Sequence, residues 1–255
     1  YTKGFKKLNQ VHVMRLSKDN GSVINKKIKI NCDLLCISGG YTPTVHLFTQ
    51  SGGKLTYNNE KYIFHPKISL LDQISVGSCN GTFNLKCIID ETQTQTKEFL
   101  NTNDVEKINV IESKGKNFEN IWLLPSDKIS GKTKSFVDFQ NDSTANDIKL
   151  ALREGFKSIE HVKRYTTTGM ATDQGKIGNM HALGIVSEIT NTKLGELGTT
   201  TFRPPYTPLT FGAIVGRNVG QFFDIVRKTP IHNWHEKNDA KFEDVGQWKR
   251  AWYYP

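Results

Sequence analysis

Val11-His12-Val13-Met14-Arg15-Leu16 alternates apolar and polar residues, the period of a half-buried β-strand. Lys18-Asp19-Asn20-Gly21-Ser22 supplies a turn, and a second strand is predicted from Val23 to Ile30. Cys32-Asp33-Leu34-Leu35-Cys36-Ile37-Ser38 is nearly all apolar after Asp33, the pattern of a strand covered on both faces of a parallel sheet. It runs straight into Gly39-Gly40-Tyr41-Thr42-Pro43. Ile74-Ser75-Val76-Gly77, followed by Ser78-Cys79-Asn80-Gly81, is a further segment of the same kind. The first part of the chain therefore reads as β-rich.

Residues 91–134 are polar, with short strands predicted at Ile108 to Glu112 and Ile121 to Leu124. The period then changes. Thr144-Ala145-Asn146-Asp147 fits a capping box, after which Ile148, Ala151, Leu152 and Phe156 fall on one helical face. Gly155 stands where that helix closes. Ser158 opens a second helix through Ile159, Val162 and Tyr165 that stops before Thr166-Thr167-Thr168-Gly169. A third is predicted from Asn179 to Ile189. Leu197 to Pro208 reads as an extended, proline-studded connector, and the tail is rich in aromatics without a closed pattern of its own. The domain reading is 1–97, a connecting segment 98–134, a small helical domain 135–195, and a connector with the start of a further domain at 196–255.

Composition narrows the function classes. With 36% hydrophobic and 23% charged residues in 255, the chain has the make-up of a soluble globular protein. No apolar run approaches the roughly 20 residues that span a bilayer, so no membrane role is read. The net charge of +9 invites a nucleic-acid partner, but the basic residues are scattered and no basic stripe with interleaved aromatics appears, so none is expected. Cysteines at 32, 36, 79 and 87 match no zinc spacing and read as buried thiols in a reducing cytoplasm. His232 and His235 lack further ligands for a metal. The opening Tyr1-Thr2-Lys3-Gly4 and the close at Tyr253-Tyr254-Pro255 are read as those of a stretch cut from a longer polypeptide.

The first candidate chemistry lies at two strand ends, Gly39-Gly40 and Gly77-Ser78-Cys79-Asn80-Gly81. Glycine there lets a backbone approach a pyrophosphate or sugar closely. A glycine pair after a strand is also met in plain turns, and the spacing alone does not separate the two. Cys32 to Pro43 and Ile74 to Gly81 resemble late segments of the flavin/pyridine-nucleotide disulfide oxidoreductase fold. In that fold the second segment carries an aspartate, where Ser78 or Cys79 stands here.

Arg164 to Lys176 resembles the small iron–sulfur domain of amine, proline and opine dehydrogenase subunits. The four cluster cysteines of that domain correspond to Asp138, Gln140, Asp173 and Gly178, so the resemblance implies the scaffold without its thiolates. Three longer strings are similar to the sarcosine oxidase family of amine-oxidising flavoenzymes, in its large (alpha) subunit. They are Ser38 to Phe48, Val162 to Lys176, and Gly198-Thr199-Thr200-Thr201-Phe202-Arg203-Pro204-Pro205-Tyr206-Thr207-Pro208. Finally, Thr229 to His235, Gly246-Gln247-Trp248 and Tyr253-Tyr254-Pro255 resemble the opening of the aminomethyltransferase (glycine-cleavage T-protein) fold.

These resemblances imply a fold class: α/β, part of a dinucleotide-binding oxidoreductase fold, plus a small α-helical domain and the beginning of an α+β aminomethyltransferase-like domain. They imply oxidative demethylation of sarcosine to glycine by a heterotetramer with beta, gamma and delta subunits. The products would be H2O2 and formaldehyde or 5,10-methylenetetrahydrofolate. NAD would sit in this subunit, with FMN at the alpha/beta interface, tetrahydrofolate in a downstream domain and FAD in the beta subunit. The NAD pocket would be lined by Gly39, Gly40, Gly77, Ser78, Cys79 and Asn80, with Asn84 and Lys86 nearby. Lys163, Arg164, Thr166, Thr167, Asp173 and Lys176 are candidates for a subunit interface or the flavin phosphate, their alternative being helix caps and surface charges. The stretch mainly binds and assembles, and no catalytic residue is assigned to it. Two alternatives are a non-catalytic nucleotide-binding assembly module and part of a related opine- or dimethylglycine-type amine dehydrogenase.

Overall fold

The computed structural model describes residues 2–17, 23–103, 108–111, 120–124, 134–217, 220 and 224–255. Tyr1–Thr207 and Pro208–Pro255 form two compact units.

The first unit opens with an antiparallel sheet in the order β1 (Thr2–Gly4), β2 (Leu8–Leu16), β3 (Val23–Asn31). The register sets Val11 opposite Ile30 and Val13 opposite Ile28, so the apolar alternation of β2 meets that of β3 on one face. The two strands predicted here are present and paired, and the turn predicted at Lys18 to Ser22 lies outside the described residues.

The buried parallel strand predicted at Cys32 to Ser38 is not. That segment has no regular structure, with Leu34 and Ile37 exposed by 73% and 83%. Among the described residues no strand pairs with it. An apolar run fixes only that a segment is fit for burial; a strand also needs neighbours whose amides it can pair with. The same holds at Ile74 to Val76, which is irregular and leads into a single 3-10 turn at Gly77–Asn80. Ile108 to Ile111 and Ile121 to Leu124 form no strand either, and Glu112 lies outside the described residues. The thiols are not buried: Cys32 is partly exposed, and Cys36, Cys79 and Cys87 are exposed. Their apolar surroundings in sequence are not covered in space.

After the irregular stretch come α1 (His46–Gln50) and a hairpin of β4 (Lys54–Asn58) and β5 (Ile63–Ile68). Beyond the 3-10 turn, α2 (Leu85–Leu100) starts at Asn84, whose side chain accepts hydrogen bonds from the amides of Lys86 and Cys87, and it ends at Asn101 in the left-handed region.

The core lies further along. A short hairpin of β6 (Phe136–Asp138) and β7 (Ser143–Thr144) feeds α3 (Ala145–Arg153), with the Thr144/Asp147 capping box in place. Gly155 follows with φ +97°, the conformation that closes the helix. Then come α4 (Ile159–Thr166), α5 (Asn179–Thr190) and the single turn α6 (Leu194–Leu197). Ile148, Val162, Leu183, Ile185 and Val186 are fully buried between α3, α4 and α5. Trp122 and Leu123 pack on this core from outside the helices.

The second unit holds α7 (Phe211–Val215), β8 (Arg227–Lys228), α8 (His232–Lys237), β9 (Lys241–Val245) and β10 (Trp248–Tyr253). Its sheet has the order β8-β10-β9, with β10 antiparallel to β9 and parallel to β8. His232 is buried against Phe242 at a ring separation of 4.6 Å. No helix of the described residues is long and apolar enough to cross a membrane.

Candidate functional site

Segments far apart in sequence meet at one end of α5. Thr42, Pro43 and His46 come from one side, Lys176 and Asn179 from a second, and Thr200 and Phe202 from a third, around a cavity of about 30 Å³. All but Asn179 belong to the three strings singled out in the sequence, so residues 38–48, 162–176 and 198–208 share one neighbourhood.

His46, the first residue of α1, is 4% exposed and lies at the centre. Its ring is 3.9 Å from the Phe202 ring and 5.9 Å from Tyr206, which meets it edge-on. Nε2 lies 3.3 Å from the carbonyl oxygen of Gln174, while buried Nδ1 has no hydrogen-bond partner among the described residues. Because the carbonyl can only accept, Nε2 carries the proton and Nδ1 keeps its lone pair. Burial holds the histidine below its ordinary pKa, the Gln174 contact and Asp173 acting upward and Lys176 downward.

Residues 199–206 lie as a strap held by charged side chains. Lys163 Nζ donates to Thr201 O at 2.9 Å, and the Thr201 amide donates to the carboxylate of Glu160. One turn of α4 thus grips both backbone groups of Thr201. Burial pushes the Lys163 ammonium below its usual pKa, against the upward pull of Glu160. At the far end Lys176 donates to the Tyr206 carbonyl and sits 4.1 Å over that ring. Inside, Asn179 Nδ2 donates to Thr200 Oγ1 at 3.0 Å. Asn179 also fills space that no Cβ at Gly169 or Gly175 can share: each would stand 2.2 Å and 2.1 Å from its Oδ1.

Asp138, Gln140, Asp173 and Gly178 are brought together as well. The Asp138 carboxylate, 6% exposed, accepts from the amides of Gly169 at 2.7 Å, Gln140 at 2.9 Å and Asn141 at 3.2 Å. Gln140 accepts from the Asp173 amide at 3.1 Å and donates to Thr172 at 3.2 Å. Gly178 lies so near β6 that a Cβ would stand 2.6 Å from Val137 O. Hydrogen bonds between the turn after β6 and the 169–178 loop join Asp138, Gln140 and Asp173, while Gly178 meets β6 by close approach alone. Among the described residues no group of three or more His, Cys, Asp or Glu is placed to hold a metal ion.

The remaining candidates of the helical part are placed as follows. Thr166 ends α4, its hydroxyl bonded to Val162 O and Thr168 Oγ1. Thr167 caps the helix with φ +59°, and its carbonyl accepts from Asn141. Arg164 is exposed.

Gly39 and Gly40 are exposed, and a Cβ at either would meet nothing within 4 Å. The chain that follows them runs beside the 3-10 turn: Pro43 is next to Gly81, and the Tyr41 and Phe83 rings are 6.0 Å apart. Within the turn the Gly77 amide and the Asn80 side chain both donate to Glu91, at 3.1 and 2.6 Å. These donors, and Asn84 as the cap of α2, are engaged inside the chain. Ser78, Cys79 and Lys86 face solvent.

Sequence reasoning singled out neither His46, which it carried only inside a longer string, nor Glu160 and Glu91. A lone carboxylate on a helix gives no sign that it binds a backbone some forty or fourteen residues away. It also missed a larger concavity of about 310 Å³ between the β4–β5 hairpin and α6, bordered by Tyr57, Phe64, Lys193 and Glu196. Burial pushes the Tyr57 hydroxyl up to about 12.

Residues 132–217 match the sarcosine oxidase A3 domain. The chain is 36% identical to the sarcosine oxidase alpha subunit of Corynebacterium sp. (strain P-1), over 97% of its own length and 26% of that subunit. It is 38% identical to the same subunit of Rhizobium meliloti (strain 1021), over 89% of its length and 23% of the relative. An opine oxidase subunit of Rhizobium meliloti is 30% identical over 28% of the chain and 16% of that protein. In fold, 85% of the chain resembles 44% of L-proline dehydrogenase from P. horikoshii, with a TM-score of 0.52 and 18% identity. The chain spans about a quarter of the length of the curated relatives it matches. Over nearly its whole length, then, it is similar in sequence to part of the sarcosine oxidase alpha subunit.

Proposed function

We propose that this chain is part of the large subunit of a sarcosine-oxidising flavoenzyme assembly, and that its own work is to bind nucleotide and hold subunits together. The observation that carries this reading is the meeting of residues 38–48, 162–176 and 198–208 around His46, all three being strings that resemble the sarcosine oxidase family. The reaction of the assembly is oxidative demethylation of sarcosine to glycine, with H2O2 and formaldehyde or 5,10-methylenetetrahydrofolate as products. Flavin, as FMN at the alpha/beta interface and FAD in the beta subunit, would take two electrons from the amine and pass them to molecular oxygen, which is reduced to the H2O2. Tetrahydrofolate binds in a domain downstream of the aminomethyltransferase-like start at 196–255. The 1–97 region is the closing part of an NAD-binding domain and 135–195 the helical domain, joined by 98–134. The site of action is the cytoplasm, with beta, gamma and delta subunits as partners.

The residues fit NAD in part. Gly39, Gly40, Ser78, Cys79 and Lys86 are exposed and available to border it. Gly77, Asn80 and Asn84 already serve Glu91 and the start of α2, so they shape the turn rather than contact the nucleotide. Lys163, Lys176, Thr166, Thr167 and Asp173 likewise position the strap and loop, which leaves exposed Arg164 as the interface or flavin-phosphate candidate. Co-expression with the beta, gamma and delta subunits tests the reading. A co-purifying complex with flavin absorbance and H2O2 release on sarcosine is expected. A complex that oxidises opines and leaves sarcosine untouched favours the second reading, an opine-type amine dehydrogenase, which the 30% match to an opine oxidase supports. A complex that forms without oxidising any secondary amine supports the assembly module instead.

A further inference from the structure

We propose that His46 is an acid-sensitive latch for the strap Thr199–Tyr206: neutral, it seats the strap through Phe202, and protonated, it lets the strap go. The histidine is the inner wall against which the strap lies, its ring 3.9 Å from Phe202 and edge-on to Tyr206. Gln174 O occupies Nε2, so a second proton must go to Nδ1, which is buried and has no acceptor among the described residues.

The groups that face it do not compensate. From the 166–178 loop come the Lys176 ammonium, which opposes a second cation, and the Asp173 carboxylate, one of whose oxygens accepts from the Gly175 amide at 3.1 Å. From the strap come Phe202 and Tyr206, and from α5 the uncharged Asn179. Helix α1 carries no other titratable residue. An imidazolium gains something over the Phe202 face, but less than it loses by giving up its water shell. Opening the strap restores that shell. Burial lowers the His46 pKa in agreement with this geometry. The sign follows: with the seated pKa below the open one, the seated state is fully favoured above the ordinary histidine value. The advantage is lost as pH falls from there through the lowered value.

Hydrogen exchange of the strap amides in the full chain tests the latch, from pH 7.5 to pH 5 and corrected for the intrinsic pH dependence of exchange. Below about pH 6.5 protection of residues 199–203 and 206 should fall, by up to about tenfold per pH unit, while the amides of α5 hold theirs. In His46→Phe, which keeps an aromatic ring against Phe202 but cannot titrate, strap protection should be flat with pH. Flat protection in the parent, or the same fall in the variant, overturns the proposal. If His46→Phe does not fold, an NMR titration of the parent decides: a His46 midpoint below the ordinary value supports the latch, and a midpoint at or above it sinks it.

Discussion

At the scale of single residues, the tightest constraint in the core is a missing atom. A Cβ on Gly184 would stand 2.0 Å from the Trp122 ring, which packs against α5 at that point. Trp122 makes no helix or strand, yet it closes one side of the core formed by Leu183, Ile185 and Val186. Gly184→Ala gains helix propensity but must displace the indole, and overpacking of this kind costs about 1–3 kcal/mol. Urea unfolding should show that loss; a midpoint at or above the parent's would mean that Trp122 is not seated there. Asp138 is the polar counterpart. Its carboxylate takes amides of Gly169, Gln140 and Asn141, so Asp138→Ala strands donors in a buried turn and should cost about 2–4 kcal/mol. Asp138→Asn, which keeps an acceptor oxygen but loses the charge, should fall between the two in the same measurement. Neither constraint is visible in the sequence. Gly184 reads there as an indifferent helix residue, and nothing in the spacing ties residue 122 to 184 or 138 to 169.

At the scale of elements, what could be read was what is decided locally. Helix α3 starts where Thr144 and Asp147 place it, because both groups of its capping box lie within four residues. Thr144→Ala should lower stability by about 1 kcal/mol, and Asp147→Ala by a similar amount. Because the two side chains serve each other, the double variant should lose less than the sum; strict additivity in a double-mutant cycle would show that the box does not act as a unit. The hairpin of β2 and β3 was legible for a similar reason, since alternation and register agree over adjacent segments. Cys32 to Ser38 failed because its pattern describes what the segment would need from others, and no described strand supplies it. Helix α2 went unread because its apolar residues sit at its two ends, Leu85 to Ile89 and Phe99-Leu100, with an all-polar run between, so no continuous stripe signals it. At the site, the three strings were legible as resemblances, but not that they meet. Gly39-Gly40 and Gly77 were read as two strand ends side by side. The chain does bring Pro43 against Gly81, through irregular segments instead of strands.

At the scale of the whole molecule, large apolar side chains stand in water at many of the described positions. Phe5, Leu34, Ile37, Ile111, Leu124 and Phe211 are each more than 70% exposed, in a protein of net charge +9. Scattered apolar side chains on a surface carry no message, but Leu34, Leu35, Ile37 and Tyr41 are near neighbours in one irregular segment. Net positive charge keeps such a chain apart from its own copies without covering that surface. The free chain should therefore bind a hydrophobic dye such as anilinonaphthalene sulfonate at neutral pH while its near-ultraviolet circular dichroism stays that of a packed core, which separates an exposed native surface from a molten state. Leu34→Ser together with Ile37→Ser should remove a measurable share of the dye fluorescence and change stability by less than about 1 kcal/mol, because neither side chain is buried. Dye binding that is absent in the parent, or unchanged in the double variant, would show that this segment is covered in solution. In the assembly proposed above the same dye signal should fall on addition of the companion subunits, in step with the appearance of H2O2 release on sarcosine.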